Sequence, residues 1–138
     1  MSTRQSKARG GARRRTNAIT PRPSGWPIVI PRIVTQDVEG LVRFIKRTFR
    51  AKGRYHEERP AELRIGDSIV MVSGLAGRTS APAFLYIYVD NVDATYRRAL
   101  KEGATSMEEP QEMPYGDRRA MVQDAWGNRW QIATYQAR

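Results

Sequence analysis

The sequence contains few side chains whose types and spacing could perform catalysis. Its single histidine, His56, is followed by Glu57 and Glu58, and histidine and carboxylate side chains are common ligands of divalent metals. Adjacent residues of a strand point to opposite faces, so we expect His56 to be an exposed polar group rather than part of a local metal site. Ser68 and Ser73 have no partner histidine in a recognisable pattern, so the sequence disfavours serine catalysis.

Carboxylate pairs are the remaining candidates for acid–base chemistry. Glu57 and Glu58 form one pair, and Glu108 and Glu109 form another. We interpret both pairs as solvated surface charge rather than as a catalytic dyad. The residue types taken alone therefore do not predict an enzyme.

Length and composition predict one soluble domain in the cytoplasm. The chain has 138 residues, of which 40% are hydrophobic, and this suits one domain with a core. There is no cysteine, which excludes disulfides, thiol catalysis and thiolate zinc sites and fits a reducing compartment. No apolar run approaches the roughly 18 to 20 residues of a membrane span, and the N-terminus lacks the apolar region of a secretory signal.

Positive charge is concentrated at the N-terminus. The net charge is +10, but seven positive and no negative residues precede Trp26, which leaves +3 for the rest of the chain. Residues 1–25 are rich in Arg, Ser, Gly, Thr and Pro and predict a disordered, solvated tail. Contact with nucleic acid through Arg13, Arg14 and Arg15 is a less favoured alternative, and a mitochondrial presequence is a third.

The first half of the folded region, about residues 26–75, predicts one strand, one helix and three further strands. A β-branched run over residues 26–34 contains two prolines, which suits an edge strand or strand ends. Asp37 is placed to cap an amphipathic helix that ends near Gly53. An antiparallel meander is expected at residues 54–58, 61–65 and 69–72.

The second half, about residues 82–136, repeats this order. Asp90 or Asn91 is placed to cap a second helix that ends at Gly103. Its strands are expected at residues 84–89, 105–107, 119–123 and 129–134, with a turn at residues 124–128. Two tandem βαβββ modules are therefore predicted in one α+β domain of residues 26–138.

Five segments, taken in order, carry a family resemblance. They are residues 44–49 (FIKRTF), 61–68 (AELRIGDS), 88–94 (YVDNVDA), 115–118 (YGDR) and 124–130 (DAWGNRW). Over roughly residues 28–135 the chain resembles the vicinal oxygen chelate superfamily of glyoxalases, bleomycin-resistance proteins and dioxygenases, and in particular its PhnB-like branch. The resemblance implies a curved mixed sheet that cups a pocket, and a homodimer.

Enzymes of this superfamily typically hold a divalent metal with His and Glu side chains that face the cup. By alignment on the five segments, Ile30 and Tyr86 stand where ligand histidines are usual, and Gln131 stands where a glutamate is usual. An aliphatic side chain cannot bind a metal, and a neutral amide or phenol is a poor substitute for carboxylate or imidazole. The resemblance therefore implies a pocket without the usual metal, and no cofactor is predicted.

Strand alternation then suggests which side chains line the pocket. Tyr86, Tyr88 and Gln131 are expected to line the cup beside Ile30 and Arg32. An alternative is that the tyrosines fill a dimer interface, where amphipathic aromatic residues are also favoured.

Residues 115–118 are expected to form a turn at the pocket rim, with Tyr115 beside the pocket. There, Asp117 and Arg118 would form a surface ion pair or a clamp for an anionic ligand. Trp126 and Trp130 are expected in the core or at an interface rather than against a ligand.

These observations lead to three functional hypotheses. The favoured one is a homodimeric, non-enzymatic protein that binds or sequesters a small molecule without a metal. The second is a metal-dependent lyase, isomerase or dioxygenase with an atypical ligand set, such as His56 with a glutamate of a second subunit. The third is a binding module tethered to nucleic acid by the basic tail, although the folded region shows no nucleic-acid-binding motif.

Overall fold

The computed structural model describes residues 21–136, which form two helices and seven strands. In chain order the elements are β1 (Arg32–Val34), α1 (Val38–Phe49), β2 (Ala61–Ile65), β3 (Ser68–Ser73), β4 (Phe84–Tyr88), α2 (Val92–Lys101), β5 (Thr105–Glu112), β6 (Asp117–Gln123) and β7 (Arg129–Tyr135). Most of the predicted tail, residues 1–20 with Arg13, Arg14 and Arg15, lies outside the described residues.

Both helices begin at cap residues that the sequence predicts. The Asp37 side chain accepts a hydrogen bond from the backbone N–H of Gly40 at 3.0 Å, and the Asn91 side chain accepts one from Ala94 at 3.1 Å. Apolar side chains at helical spacing face the core from α1; they are Leu41, Val42, Phe44, Ile45 and Phe49. Local sequence therefore fixes where each helix starts and which face it buries.

The strands form two mixed sheets, in the orders β1-β3-β2 and β4-β7-β6-β5. In each sheet the strand before the helix pairs in parallel with the last strand of the same half, and the other pairs are antiparallel. A crossover through a helix is what a parallel pair of this kind requires. The predicted α+β class with two successive modules is confirmed.

The strand predicted at residues 54–58 is wrong. In its place the chain makes one isolated bridge, with hydrogen bonds in both directions between Lys52 and Arg64 at 2.9 and 2.8 Å, and then an irregular loop. The loop sequence is polar, has no alternation of apolar side chains, and ends at Pro60, which has no N–H to donate to a ladder. The first module consequently has three strands.

The first strand is also shorter than residues 26–34. Pairing starts at Arg32, although the carbonyl of Pro31 already accepts a hydrogen bond from Met71 N–H at 2.9 Å. Pro27 and Pro31 have no N–H, so the segment between them does not continue the ladder. Ile28 and Val29 remain 80% and 76% exposed.

The two modules share one hydrophobic core. Trp130 of β7 is 1% exposed and packs against two phenylalanines of α1, with ring centroids 6.5 Å from Phe44 and 5.0 Å from Phe49. The Arg98 guanidinium of α2 donates to the carbonyl of Thr48 at the end of α1 at 3.0 Å. Neither module therefore buries its apolar residues alone.

A buried carboxylate organises the predicted turn at residues 124–128. Asp124 Oδ1 accepts from the backbone N–H groups of Trp126 and Asn128 at 3.0 and 2.9 Å. Asp124 Oδ2 accepts from Asn128 Nδ2 at 3.0 Å and from Trp130 Nε1 at 2.9 Å. The carboxylate thus fixes both the turn and the indole that lies in the core.

The same turn contacts the start of α1. Trp126 Nε1 donates to Asp37 Oδ2 at 3.2 Å, and the Trp126 ring lies 6.3 Å from that of Phe44, centroid to centroid, in an edge-on arrangement. Gly40 leaves room for this contact, since a Cβ there would lie 2.2 Å from Asp37 Oδ2 and 2.8 Å from Trp126 Cζ2. Asp37 therefore both caps α1 and takes part in the contact between the two modules.

Neither helix of the described chain is long and apolar enough to cross a membrane.

Candidate functional site

The four-stranded sheet has one face covered by helices and one face free of them. β4 runs parallel to β7 with Tyr86 opposite Gln131 and Tyr88 opposite Ala133, and β7 pairs with β6 so that Ala133 lies opposite Arg119. Because side chains alternate along strands, these residues share one face, while Val122, Trp130 and Ile132 point to the core. We call this the helix-free face; it carries Phe84, Tyr86, Tyr88, Asp117, Arg119, Met121, Gln123, Arg129, Gln131, Ala133 and Tyr135.

A buried carboxylate anchors two tyrosines on this face. Asp117 is 2% exposed, and its Oδ2 accepts hydrogen bonds from Tyr86 OH at 2.5 Å and from Tyr88 OH at 2.9 Å. The rings of Tyr86 and Tyr88 are 5.5 Å apart, centroid to centroid, at 59°. Their hydroxyl groups are thereby fixed while large parts of both rings stay open to solvent.

The network continues from Tyr86 to a charged pair. The hydroxyl groups of Tyr86 and Tyr115 lie 3.4 Å apart, and Arg119 Nη1 donates to Tyr115 OH at 3.0 Å. Arg119 Nη2 donates to Glu108 Oε1 at 3.0 Å, so the guanidinium already has a carboxylate partner. Arg119 is therefore a support for Tyr115 rather than a free cation.

Both tyrosines bound to Asp117 are held in the neutral form. Burial, followed by the hydrogen bond to Asp117, raises the pKa of Tyr86 far above its ordinary value of 10.0. The hydrogen bond to Asp117 is the main cause that raises the pKa of Tyr88. A phenol in this setting is a hydrogen-bond donor and an aromatic surface, not a base or an anionic ligand for a metal.

The raised pKa of Tyr86 predicts that this phenol ionises only when the protein unfolds. A group whose pKa is higher in the folded state contributes stability below its unfolded pKa, here about 10, and that contribution is lost as pH rises further. We expect an alkaline absorbance titration at about 295 nm to show a late phase that coincides with loss of circular dichroism. Tyr86→Phe should remove part of that phase, whereas Tyr55→Phe, outside the network, should leave it unchanged. Ionisation of all tyrosines together in folded protein would contradict the network.

A groove of about 350 Å³ lies beside the two tyrosines. One wall is β4, with Tyr86 and Tyr88, and the opposite wall comes from the three-stranded sheet and from the segment that precedes β1. That second wall consists of Pro27, Val29, Pro31, Ile65, Ser68, Ile69 and Val70. Leu85, Ile87 and Trp130 complete the lining on the side of β4, so the groove is mainly apolar.

The structure brings together four of the seven predicted pocket residues. Tyr86 and Tyr88 line the groove, Tyr115 contacts Tyr86, and Gln131 lies half-buried opposite Tyr86 on the helix-free face. Ile30 is half-buried between two residues that line the groove, Val29 and Pro31, but does not line it itself.

Arg32 lies at a different cavity, so its expected position beside the tyrosines is wrong. Arg32 Nε donates to Ser73 Oγ at 2.9 Å, and both residues line a polar cavity of about 430 Å³ with His56 and the start of α1. In β1, Arg32 points away from the side of Ile33, which is in the core. Arg32 therefore lines the polar cavity and not the groove.

The expected pairing of Asp117 with Arg118, and a clamp at the pocket by Arg118, are also wrong. Neighbours in β6 point to opposite faces, and Arg118 binds Asp93 of α2 through Nε at 2.9 Å and Nη2 at 3.0 Å, and Glu112 through Nη1 at 3.1 Å. Hydrogen bonds from Arg118 lower the pKa of Asp93. This arginine holds α2 on the sheet.

Sequence analysis missed the central roles of Asp117 and Arg119. The signal that could have found them is the alternation along β6, which places Asp117, Arg119 and Met121 on one face, one strand away from Gln131. The sequence alone suggests Arg118 as the partner of Asp117, because the pairing of β6 with β7 is not visible in it.

Comparison with protein families decides the relationship. A sequence model of the glyoxalase/bleomycin resistance protein/dioxygenase superfamily matches residues 20–132 of this chain. The chain belongs to that superfamily. The matches do not single out its PhnB-like branch.

The chain is also similar to individual proteins and solved structures. An uncharacterised protein of Mycobacterium tuberculosis is 27% identical over 124 residues, which cover 77% of this chain and 73% of that protein. Among solved structures, TioX from Micromonospora sp. ML1 matches with a TM-score of 0.68 and 22% identity, covering 77% of this chain and 96% of that chain. A superfamily enzyme from Burkholderia phytofirmans matches with a TM-score of 0.68 and 21% identity over the same shares. These structures show the fold.

The residues present do not fit the divalent metal that enzymes of this superfamily typically hold. Tyr86 gives its hydroxyl to Asp117 and is held neutral, Gln131 offers an amide, and Ile30 offers no donor atom. In residues 21–136, no group of three or more His, Asp or Glu side chains converges in a way that could hold an ion. His56 lies 3.4 Å from Arg59 Nη2, a cation that would repel a metal there.

Proposed function

We propose that the chain binds a small planar organic molecule at the groove and helix-free face, without a metal ion, and so sequesters it. The observation that carries this proposal is the pair Tyr86 and Tyr88, whose hydroxyl groups are fixed by buried Asp117 while their rings stand open beside the groove. Fixed aromatic rings lose little entropy when a ligand stacks on them, and apolar walls supply most of the affinity.

The charge of the site favours a ligand with a positively charged group. Asp117 is hydrogen-bonded to two neutral phenols, whereas the nearby cation Arg119 is matched by Glu108. The charge of Asp117 therefore lies close to the two tyrosine rings, whereas the other cation of this face, Arg129, lies at the far end of β7, opposite Phe84. Cations are attracted to the faces of such rings, and this attraction strengthens where water is excluded.

A second copy of the chain is part of this proposal. Exposed apolar side chains flank the groove: Val29 lines it, Ile28 precedes Val29 in the chain, and Phe84 begins β4, which is an edge strand. An exposed edge with apolar neighbours is a common contact between subunits. Light scattering after gel filtration should give twice the 15.7 kDa mass of one chain. A monomer at all concentrations would remove the dimer and leave the binding site.

Thermal-shift screening of planar compounds, in matched cationic, neutral and anionic series, tests the binding proposal. A ligand present at about 100 times its Kd should stabilise the protein by about 2.7 kcal/mol, and we expect the cationic series to give the largest shifts. Tyr88→Ala should abolish the shift because Tyr88 lines the groove. The variant should still fold, because Tyr88 is 60% exposed and its loss leaves the core intact. Tyr55→Ala, at a tyrosine outside the groove, is the matched control.

Stabilisation by a divalent metal, together with no response to any organic compound, would contradict the proposal and favour a metal-dependent enzyme. Shifts from neutral or anionic compounds alone would retain binding and remove the preference for cations. Cytoplasmic location and the PhnB-like branch stay predictions from the sequence.

A further inference from the structure

The outer face of α1 is a stripe of positive charge. Arg47 stands four residues and Lys46 three residues after Arg43, so these three cations lie on one side of the helix, and Arg50 follows as its C-cap. Three of them are exposed and Lys46 is half-buried. We call these four residues the cationic stripe. Lys52 and Arg54 continue it along the chain, and residues 40–56 contain no acid.

Stability of the helix does not account for the stripe. Cations in the last turn complement the helix dipole, and this explains Lys46 and Arg47. It does not explain Arg43, and like charges three or four residues apart destabilise a helix. Within residues 21–136 the stripe forms one ion pair, between Arg47 and Glu102 at 3.5 Å, and the Arg47 side chain is 62% exposed. Four cations with one half-buried acidic partner form a surface of excess positive charge.

The positive charge extends to the neighbouring helix. Arg98 of α2 reaches the end of α1, and its pKa is lowered by burial and by the positive charge of Arg50. Arg97 and Lys101 are exposed on α2. Arg98 thus adds a further positive charge beside the end of α1.

We propose that the cationic stripe docks on the phosphate backbone of double-stranded nucleic acid. Arg43 and Arg47 are separated by a rise of about 6 Å along the helix, which lets their guanidinium groups reach successive phosphates. Three of its four residues are arginines, whose planar forks bind phosphate oxygens through two hydrogen bonds. These contacts depend on the charge and spacing of the phosphates, so binding is independent of base sequence.

An anionic membrane fits this surface less well. A helix that lies on a membrane inserts its apolar face among the lipids. The apolar face of α1 is already buried in the core, with Leu41, Phe44 and Ile45 at most 2% exposed. The stripe therefore offers charge without an apolar anchor, which suits a nucleic acid.

The surface is separate from the proposed small-molecule site. α1 packs on the core side, whereas Tyr86, Tyr88 and Asp117 lie on the helix-free face. Occupancy of one site leaves the other open. The inference does not depend on the proposed ligand-binding function.

Fluorescence anisotropy with a labelled random-sequence duplex of about 20 base pairs tests the inference on the full chain, at several salt concentrations near about 100 mM. Arg43→Glu with Arg47→Glu should weaken binding at least about 10-fold and reduce the slope of log K against log salt by about 2. Arg59→Glu with Arg78→Glu is the matched control. It makes the same charge change at exposed residues of the loop before β2 and of the loop after β3, and should weaken binding less than about 3-fold.

Equal weakening by the two double variants would overturn the inference, since it would assign binding to net charge or to residues 1–20. Failure of the unaltered chain to bind duplex at low salt would also overturn it. The protein could also sediment with vesicles that contain about 30% phosphatidylserine. If excess duplex did not release it from the vesicles, the stripe would be assigned to membranes instead. If the charge-reversed helix does not fold, Arg43→Gln with Arg47→Gln repeats the comparison with a smaller expected loss.

Discussion

Asp124→Ala is expected to lower the free energy of unfolding by about 3–5 kcal/mol. The carboxylate is 4% exposed and accepts hydrogen bonds from two backbone N–H groups, from the Asn128 amide and from the Trp130 indole. Alanine would leave these buried donors without an acceptor and would loosen Trp130, which lies between α1 and β7. Urea denaturation followed by circular dichroism measures the change.

Asp67→Ala supplies the control for this experiment. Asp67 is exposed in the turn between β2 and β3, where its side chain accepts a hydrogen bond from Ser68 Oγ, so its loss should change stability by less than about 0.5 kcal/mol. Asp124→Asn keeps one acceptor oxygen and should fall between the two. Asn128→Ala removes a subset of the bonds if Asp124→Ala does not fold. A loss of less than about 1 kcal/mol for Asp124→Ala would show that the turn does not depend on its carboxylate.

Gly40→Ala is expected to destabilise the protein by about 2 kcal/mol, the opposite sign to the usual effect of this change in a helix. A Cβ at Gly40 would lie 2.2 Å from Asp37 Oδ2 and 2.8 Å from Trp126 Cζ2. The Asp37 side chain cannot simply move aside, because one oxygen caps α1 and the other accepts from Trp126. The loss of the cap and the displaced indole together outweigh the roughly 1 kcal/mol that alanine adds to helix propensity.

Gly74→Ala is the matched glycine substitution. At Gly74 the nearest atom to an added Cβ is Val38 Cγ2 at 4.0 Å, so stability should stay the same or rise by about 0.5 kcal/mol. Melting temperatures of the two variants give the comparison. A stabilised Gly40→Ala variant would mean that Asp37 and Trp126 do not hold the positions seen here.

Local sequence predicts the helices well because each rests on interactions a few residues long. The Asp37 and Asn91 caps, the apolar spacing of α1 and the turn at residues 124–128 are all found as expected. The order of strands and helices then follows, and with it the α+β fold of two modules. Strand limits are less predictable, as residues 26–31 and 54–58 show, because pairing depends on which N–H groups a distant partner can meet.

The candidate site is less predictable from local sequence than the helices are. Tyr86 and Tyr88 could be predicted to share a face from alternation alone, and the registers place them so. Their partner Asp117 is 31 residues from Tyr86 in the chain and reaches it only because β6, β7 and β4 lie side by side. The face of the sheet on which Arg118 lies depends on the same register. Because Arg118 is one residue after Asp117, it lies on the opposite face and binds Asp93 instead of lining the groove.

The packing of Phe44 and Phe49 on Trp130 bears on how a chain with two similar halves could arise. A half released by cutting the loop after Gly74 would leave one side of this aromatic stack facing water. Such fragments should bind each other rather than fold apart, so a gene encoding a single half would have needed self-association before any fusion of two copies.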